Sequence, residues 1–125
     1  MDIVSKFISA INAAGIPCFP EYPGAKGFEE KKREITAFAG IRKILFESLR
    51  EGISDISAEV RITVQSFGSD GEKVFSAARE KIFPAAMECG EEIYSAEISG
   101  IMYDGKTDRI CCEIIFKVRR SGDAV

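Results

Sequence analysis

"SAEVRITVQSF", residues 57–67, is the stretch whose reading decides the fold. Ala58, Val60, Ile62 and Val64 alternate with Glu59, Arg61, Thr63 and Gln65. Successive side chains of a strand point to opposite faces, so a strict period of two with β-branched residues predicts a β-strand with one buried face. The apolar row belongs to a core. The polar row, Glu59 to Gln65, belongs to solvent or to a polar partner. A sheet therefore organises the chain, and the neighbouring segments must supply its other strands and its cover.

Downstream, "SDGE" spaces Ser69 and Glu72 as a capping box, in which hydroxyl and carboxylate satisfy two backbone donors at a helix start. The helix is expected over 70–88. Val74, Ala78 and Ile82 form its apolar row, flanked by Phe75, Ala77 and Ala86, and Gly90 closes it. Pro84 falls inside this helix. It has no N–H, and its ring opposes the carbonyl four residues back, that of Glu80. Either the helix breaks there and Ala85–Cys89 leave its axis, or Pro84 stands at the start of a fresh helical turn, where proline is tolerated. "EIYSAEISGIMY" (92–103) and "RICCEIIFKVR" (109–119) then flank "DGKTD", whose Asp104-Gly105 is a turn signal, and predict a hairpin. Ile110, Cys112, Ile114, Phe116 and Val118 form its core row. The last residues, 121–125, read as a disordered tail.

Upstream, residues 2–14 read as an amphipathic helix with Ile3, Phe7 and Ile11 in one row, Asp2 as its cap and Gly15 as its left-handed end. Pro17, Pro20 and Pro23 alternate with Gly15, Gly24 and Gly27 through 15–34, which reads as loop with a short edge strand at Cys18 and Phe19. So long a loop is either a binding segment or plain surface chain. The mixed charges of "EEKKRE", 29–34, read as a solvated loop or strand start. In "EITAFAGIRKILFESLR" (34–50), Glu34 to Ala39 are strand-like. Ile41, Ile44, Leu45, Ser48 and Leu49 also fit a helical stripe, and periodicity leaves strand and helix both open. Strands joined by hairpins with helices on one side give an α+β fold, read as a single domain over 1–120.

Composition narrows the function classes. The 125 residues carry 17 basic and 20 acidic side chains, a formal charge of −3, so a generic nucleic-acid footprint is not expected. No apolar run approaches the roughly 20 residues of a membrane span. The N-terminus, with Asp2 and an amphipathic pattern, does not read as a signal peptide, so an intracellular protein is expected. Histidine is absent, which removes the Ser-His-Asp and Cys-His arrangements and the commonest metal ligand. Cys18, Cys89, Cys111 and Cys112 form no C-x-x-C pair and read as reduced thiols. No catalytic, metal or cofactor residue is expected. For a small enzyme or ligand-binding domain the candidate groups would be Cys111, Cys112, Tyr94, Tyr103, Glu91 and Glu92, the two glutamates reading more simply as a solvated turn.

The helix segment "AREKIFPAAME" resembles the second helix of phage tail terminator proteins, the U-like minor tail proteins of lambda-like phages and prophages. That helix ends in a basic, an aliphatic and an aromatic residue before a proline, and here these are Lys81, Ile82, Phe83 and Pro84. The strand "AEVRITVQSF" before it, and the closing hairpin with Gly100 and Tyr103 ahead of its turn, are similar to the same family in order. The resemblance implies an antiparallel sheet of about four strands with two main helices packed on it, and strand across Glu34 to Phe46. It implies a structural protein that caps the tail tube as a ring, usually hexameric, and forms the surface that the head joins. The partners implied are copies of itself, the major tail tube protein and a head-completion or connector protein, with no nucleic-acid sequence recognition and no membrane. The implied location is the host cytoplasm during assembly and then the virion tail. "RKILFESLREGISD" departs from the lambda-like members. For such a role the contact candidates are Glu59, Arg61, Thr63 and Gln65 on the polar strand face, with Phe19 and Tyr22 in the loop. Another head-tail connector or tail-completion protein is the alternative.

Overall fold

The structure, a computed structural model, describes residues 3–21, 35–50, 53–68 and 70–120. Asp2, Tyr22 with the rest of 22–34, Ser69 and the 121–125 tail, each read above from sequence, lie outside the described residues. The fold is α+β. Helix α1 (Ile3–Ala13) precedes strands β1 (Cys18–Pro20), β2 (Thr36–Arg50) and β3 (Ile53–Phe67). Helix α2 (Gly71–Ala77), a π-helical turn (Ala78–Ile82) and helix α3 (Phe83–Met87) run on from one another, and β4 (Glu92–Ile98), β5 (Met102–Asp104) and β6 (Arg109–Arg120) follow.

The sheet has six strands in the order β1-β2-β3-β6-β4, with β5 also on β6. This corrects the expected sheet of about four antiparallel strands in two ways. The short edge strand β1 pairs with β2 in parallel, Cys18 opposite Ala37. The expected 92–103 strand is divided: the Ser99 N–H still donates to the Glu113 carbonyl at 2.8 Å, but the Glu113 N–H donates to the Ser99 hydroxyl at 2.9 Å in place of its carbonyl, and β4 and β5 pair with β6 as separate pieces. All other neighbours are antiparallel.

Residues 36–50 form strand, not helix. Pairing with β3 runs from Thr36 opposite Gln65 to Arg50 opposite Ile53, and this ladder overrides the local helical spacing. The apolar residues that suggested a helix stripe, Ile44 and Leu45, are exposed together with Phe46. They do not contribute to the buried core.

The core forms where the period-two rows meet the helices. Ala58, Val60, Ile62 and Val64 of β3 and Cys112, Ile114, Phe116 and Val118 of β6 are buried, against Ile3, Phe7 and Ile11 of α1 and Val74, Ala78 and Ile82 of the second helical unit. Phe116 is its centre. The Phe7 ring lies 5.2 Å from it and the Phe83 ring 5.8 Å, stacked at 20°. One strand residue thus receives an aromatic ring from each helical unit.

The π turn resolves the position of Pro84. The Phe83 N–H donates to the Ala78 carbonyl, five residues back, and Pro84 falls in the first turn of α3. A proline in an unbroken α-helix would meet the Glu80 carbonyl, and the wider turn separates the two. One extra residue in a turn rotates later side chains by about 100°, which leaves Pro84 exposed and Phe83 half-buried beside Phe116. Of the two sequence readings, the fresh turn is the one observed. The helix start is corrected by one residue: Asp70 is the cap, its Oδ1 accepting from the Glu72 N–H at 2.9 Å. Gly15 and Gly90 close their helices at φ +95° and +98°, the left-handed region that glycine enters freely.

Phe116→Ala removes the ring that both helical units share. It is expected to cost about 3–5 kcal/mol, read as a lower urea midpoint at constant slope. A loss below about 1 kcal/mol would show that the helices hold the sheet through other contacts.

Candidate functional site

The sheet face opposite the helices is built from the polar row of β3 and its neighbours. Here the four strand residues singled out from sequence divide. Thr63 and Gln65 are 8% exposed, because Phe38 and Glu113 stand opposite Thr63, and Thr36 and Cys111 opposite Gln65. Gln65 is further occupied: its Oε1 accepts from Arg109 Nε at 2.7 Å. Glu59 and Arg61 are half-buried, and both are committed to ion pairs. Arg42 reaches Glu59 at 3.0 Å. Arg61 donates through Nε and Nη2 to the two oxygens of Glu21, at 2.9 and 2.8 Å. The polar row, expected to face solvent or a polar partner, is thus mostly a cross-strand network.

Gly40 makes the Glu21–Arg61 pair possible. It stands opposite Arg61 on β2, and Glu21 crosses directly over it. A Cβ at position 40 would lie 2.8 Å from Glu21 Oε1 and 2.9 Å from its Cβ. The bidentate fork holds the Arg61 guanidinium above its ordinary range, against the effect of partial burial. It also fixes the chain where it leaves β1, just before residue 22. Phe19 lies in the same area, half-buried, with its ring 6.2 Å from Phe38. A hollow of about 410 Å³ on this face is lined by Arg42, Arg61, Glu97, Ser99, Glu113 and Ile115.

The candidate groups for enzyme chemistry do not converge. Cys111 and Cys112 point to opposite faces, and both are buried. Burial pushes the Cys112 thiol up to about 11 and the Cys18 thiol up to about 12, with Cys111 and Cys89 also raised, so all four favour the unreactive protonated form. Tyr94 lies under the Arg119 guanidinium, 4.5 Å from its ring centre. Tyr103 donates to Asp108 Oδ1 at 2.9 Å in the turn before β6.

Glu91 departs from its sequence reading as a solvated turn residue. Its side chain is 3% exposed and is held between Lys6 of α1, at 3.1 Å, and Arg120 at the end of β6. Arg120 Nε donates to Oε1 at 3.0 Å, and its Nη2 makes a second short contact. Hydrogen bonding from Arg120 lowers the Glu91 pKa, burial opposes this, and Lys6 adds to it. Glu92, one residue on, is exposed.

Sequence reasoning missed the two free edges of the sheet. β1 covers β2 only at Ala37–Ala39, and the ladder ends with the Glu21 N–H on the Ala39 carbonyl. Beyond it, among the described residues, β2 has no strand on its outer side. There Ile44, Leu45 and Phe46 are 39%, 47% and 59% exposed. β4 forms the opposite edge, with Glu92, Tyr94, Ser95 and Glu97 exposed. At the far end of β6, Ile101, Met102 and Tyr103 form a second exposed apolar group. The sequence signal for the first edge was present: three consecutive apolar residues cannot all face one side of a strand.

Compared with known proteins, the chain matches no protein-family model and no curated protein sequence.

Two outcomes test these side-chain assignments. Gly40→Ala should lower the thermal midpoint of the wild-type protein, yet cost clearly less in a Glu21→Gly background, where the opposing side chain is gone; equal losses in both backgrounds would show that Gly40 serves something else. Glu91 has its folded pKa below its ordinary 4.5, so the folded state binds fewer protons than the unfolded one in that window. Its stabilisation is present above the unfolded pKa and is lost as pH falls through the folded one. Between about pH 6 and about pH 3 the wild-type urea midpoint should therefore fall more steeply than that of Glu91→Gln. Parallel acid limbs would remove Glu91 from the account.

Proposed function

We propose that this chain is a structural subunit that works by assembling with copies of itself and with other proteins. Within that class, we propose a phage or prophage tail terminator, which closes the tail tube as a ring and presents the surface that the head joins. The observation that carries the reading is the exposed apolar run Ile44–Phe46 on the edge of β2 that no described strand covers. Isolated exposed apolar residues are ordinary, but a contiguous group on an open strand edge suits a protein interface.

The arrangement of the rest is in keeping with this role. Ile44–Phe46 lie toward the β6 end marked by Arg120, and Ile101–Tyr103 toward the end marked by Arg109. A terminator must dock at two opposite ends, on the tube and on a head-completion or connector protein. The residues that resemble the tail terminator family, 57–119, supply the centre of the sheet, the second helical unit and the closing strands. Subunits meeting head to tail close into a ring when the rotation allows it, and hexamers are the usual case in that family. Each contact can be weak alone, because a tube that already presents the symmetry raises the effective concentration of subunits. Cross-strand ion pairs and buried thiols then serve to stiffen a scaffold. No described helix is long and apolar enough to cross a membrane.

Deletion of the gene from the phage or prophage that carries it tests the proposal. Heads should fill with DNA as usual, while tails grow to abnormal lengths or fail to join heads in electron micrographs. Infectious particles with tails of normal length, in the absence of a second copy, would overturn it.

A further inference from the structure

The outer side of helix α2 carries a surface that is complementary to itself. Glu72, Phe75, Ser76 and Arg79 stand at i, i+3, i+4 and i+7, so they share one face of the helix. Together with Ile101, which precedes β5, they line a groove of about 480 Å³. The described residues that flank 22–34, Glu21 and Ile35, sit at β1 and β2, whereas the groove lies toward β5, on the opposite side of the sheet. The middle of the groove is apolar. Phe75 is half-buried there, and Ile101 is 41% exposed.

The two ends of the groove carry opposite charge. Glu72 stands at one end and Arg79 at the other, about 10 Å further along the helix axis, and both are exposed. Neither is held firmly within its own chain. Glu72 makes no ion pair among the described residues. Arg79 reaches only its sequence neighbour Glu80, at 3.4 Å, with its guanidinium 5.8 Å from the Phe75 ring. On the adjoining strip of the helix the order of charge is reversed. Lys73 comes first there and Glu80 seven residues later, both exposed.

This order of charge selects one way of pairing two copies. Two α2 helices side by side in the same direction and in register would set Glu72 beside Glu72 and Arg79 beside Arg79. Turned antiparallel about a two-fold axis near Phe75 and Ser76, Glu72 of each copy meets Arg79 of the other. Lys73 of each then meets Glu80 of the other, and symmetry makes every pair twice. Phe75 and Ile101 of both copies lie between the charged pairs and leave water together. The small side chain of Ser76 lets the helix axes approach to the usual packing distance of about 8–10 Å.

We propose that two copies of this chain pair through α2 in an antiparallel two-fold contact, with Glu72 of each against Arg79 of the other and the Phe75–Ile101 groove closed between them. The occupant of the groove is thus a second copy of this chain. The contact is isologous and closes at two subunits. It uses the helix layer and leaves the sheet edges clear. It is separate from the head-to-tail contact of a ring, and it stands or falls independently of the tail reading. Exposed charge pairs are weak one by one, so the dimer forms and dissociates with protein concentration.

Sedimentation of the purified full-length protein over a range of concentrations tests it. The wild-type chain should show a monomer–dimer equilibrium. Glu72→Arg and Arg79→Glu each set like charges face to face at two places, and each should raise the dissociation constant about tenfold or more. Both positions are exposed, and circular dichroism should show both variants folded. An equal mixture of the two variants brings opposite charges together again and should dimerise as tightly as the wild type. The chain carrying both substitutions should do so with itself. Under mild oxidation Ser76→Cys, close to the axis, should form a disulfide between residue 76 of one copy and residue 76 of the other, which the wild-type protein with its four native cysteines does not yield. A wild-type monomer at every concentration would overturn the contact. So would a dimer indifferent to the single reversals, or a loss that neither the mixture nor the double exchange restores. A larger particle whose size Glu72→Arg leaves unchanged would place the subunit contacts elsewhere and overturn it as well.

Discussion

The placement of Phe116 between Phe7 and Phe83 is the constraint on which the rest depends. A single inward position on β6 sets the height of α1 and the rotation of α3 over the sheet. The rotation is what requires the π turn. Without the additional residue in Ala78–Ile82, Phe83 would be turned away from Phe116 by about 100°. The proline is compatible with that turn because the wider helix leaves room for its ring. The feature that looked like a fault in the helix is thus a consequence of aligning two apolar stripes with one strand residue.

With one face of the sheet fixed by the helices, the other has no second layer among the described residues and is held by side chains that cross strands. Arg42 joins Glu59, Glu21 joins Arg61 over Gly40, and Arg109 joins Gln65. The two ion pairs among these, both partly exposed, contribute little individually, about 0–1 kcal/mol each. The value of all these contacts is geometric. They hold β1, β2, β3 and β6 in one register along a face that a packed layer does not fix. Glu91 does the same at the sheet's end, where burial makes the pairing with Arg120 and Lys6 stricter, since a lone buried carboxylate would be costly.

What was legible in the sequence follows from these two faces. The helix-side face is written in periodicity: the rows Ala58–Val64 and Ile110–Val118, and the stripe Ile3–Phe7–Ile11, are each buried as read. The open face was less legible, because alternation reports polarity and not exposure. Thr63 and Gln65 look the same in sequence as Glu59 and Arg61, yet their neighbours on β2 and β6 cover them. Glu91 was misread for the same reason, since its partners lie in segments far away in sequence. The β2 segment was ambiguous because its apolar residues answer to neither a helix stripe nor a core strand, as befits an edge whose apolar side chains are exposed. The proposed function rests on the resemblance over 57–119 and not on any pattern of charge or spacing, and the structure adds surfaces to that reading.

An open apolar edge is a hazard unless its pairing is limited, and this fold limits it. Each free edge carries a bulge, at Arg42 on β2 and at Tyr94 on β4, and each carries charge of one sign among its described residues. Bulges and edge charges are the usual guards against indiscriminate strand addition. Here they leave short uninterrupted windows, 43–46 on β2 between its two register shifts and 95–98 on β4 beyond its one. A window of that length gives few backbone hydrogen bonds, so an isolated contact is weak and reversible. It also admits few registers, so the contact is selective. On the proposed reading of the chain as a ring subunit, such guarded edges would keep a free subunit from adding strands indiscriminately.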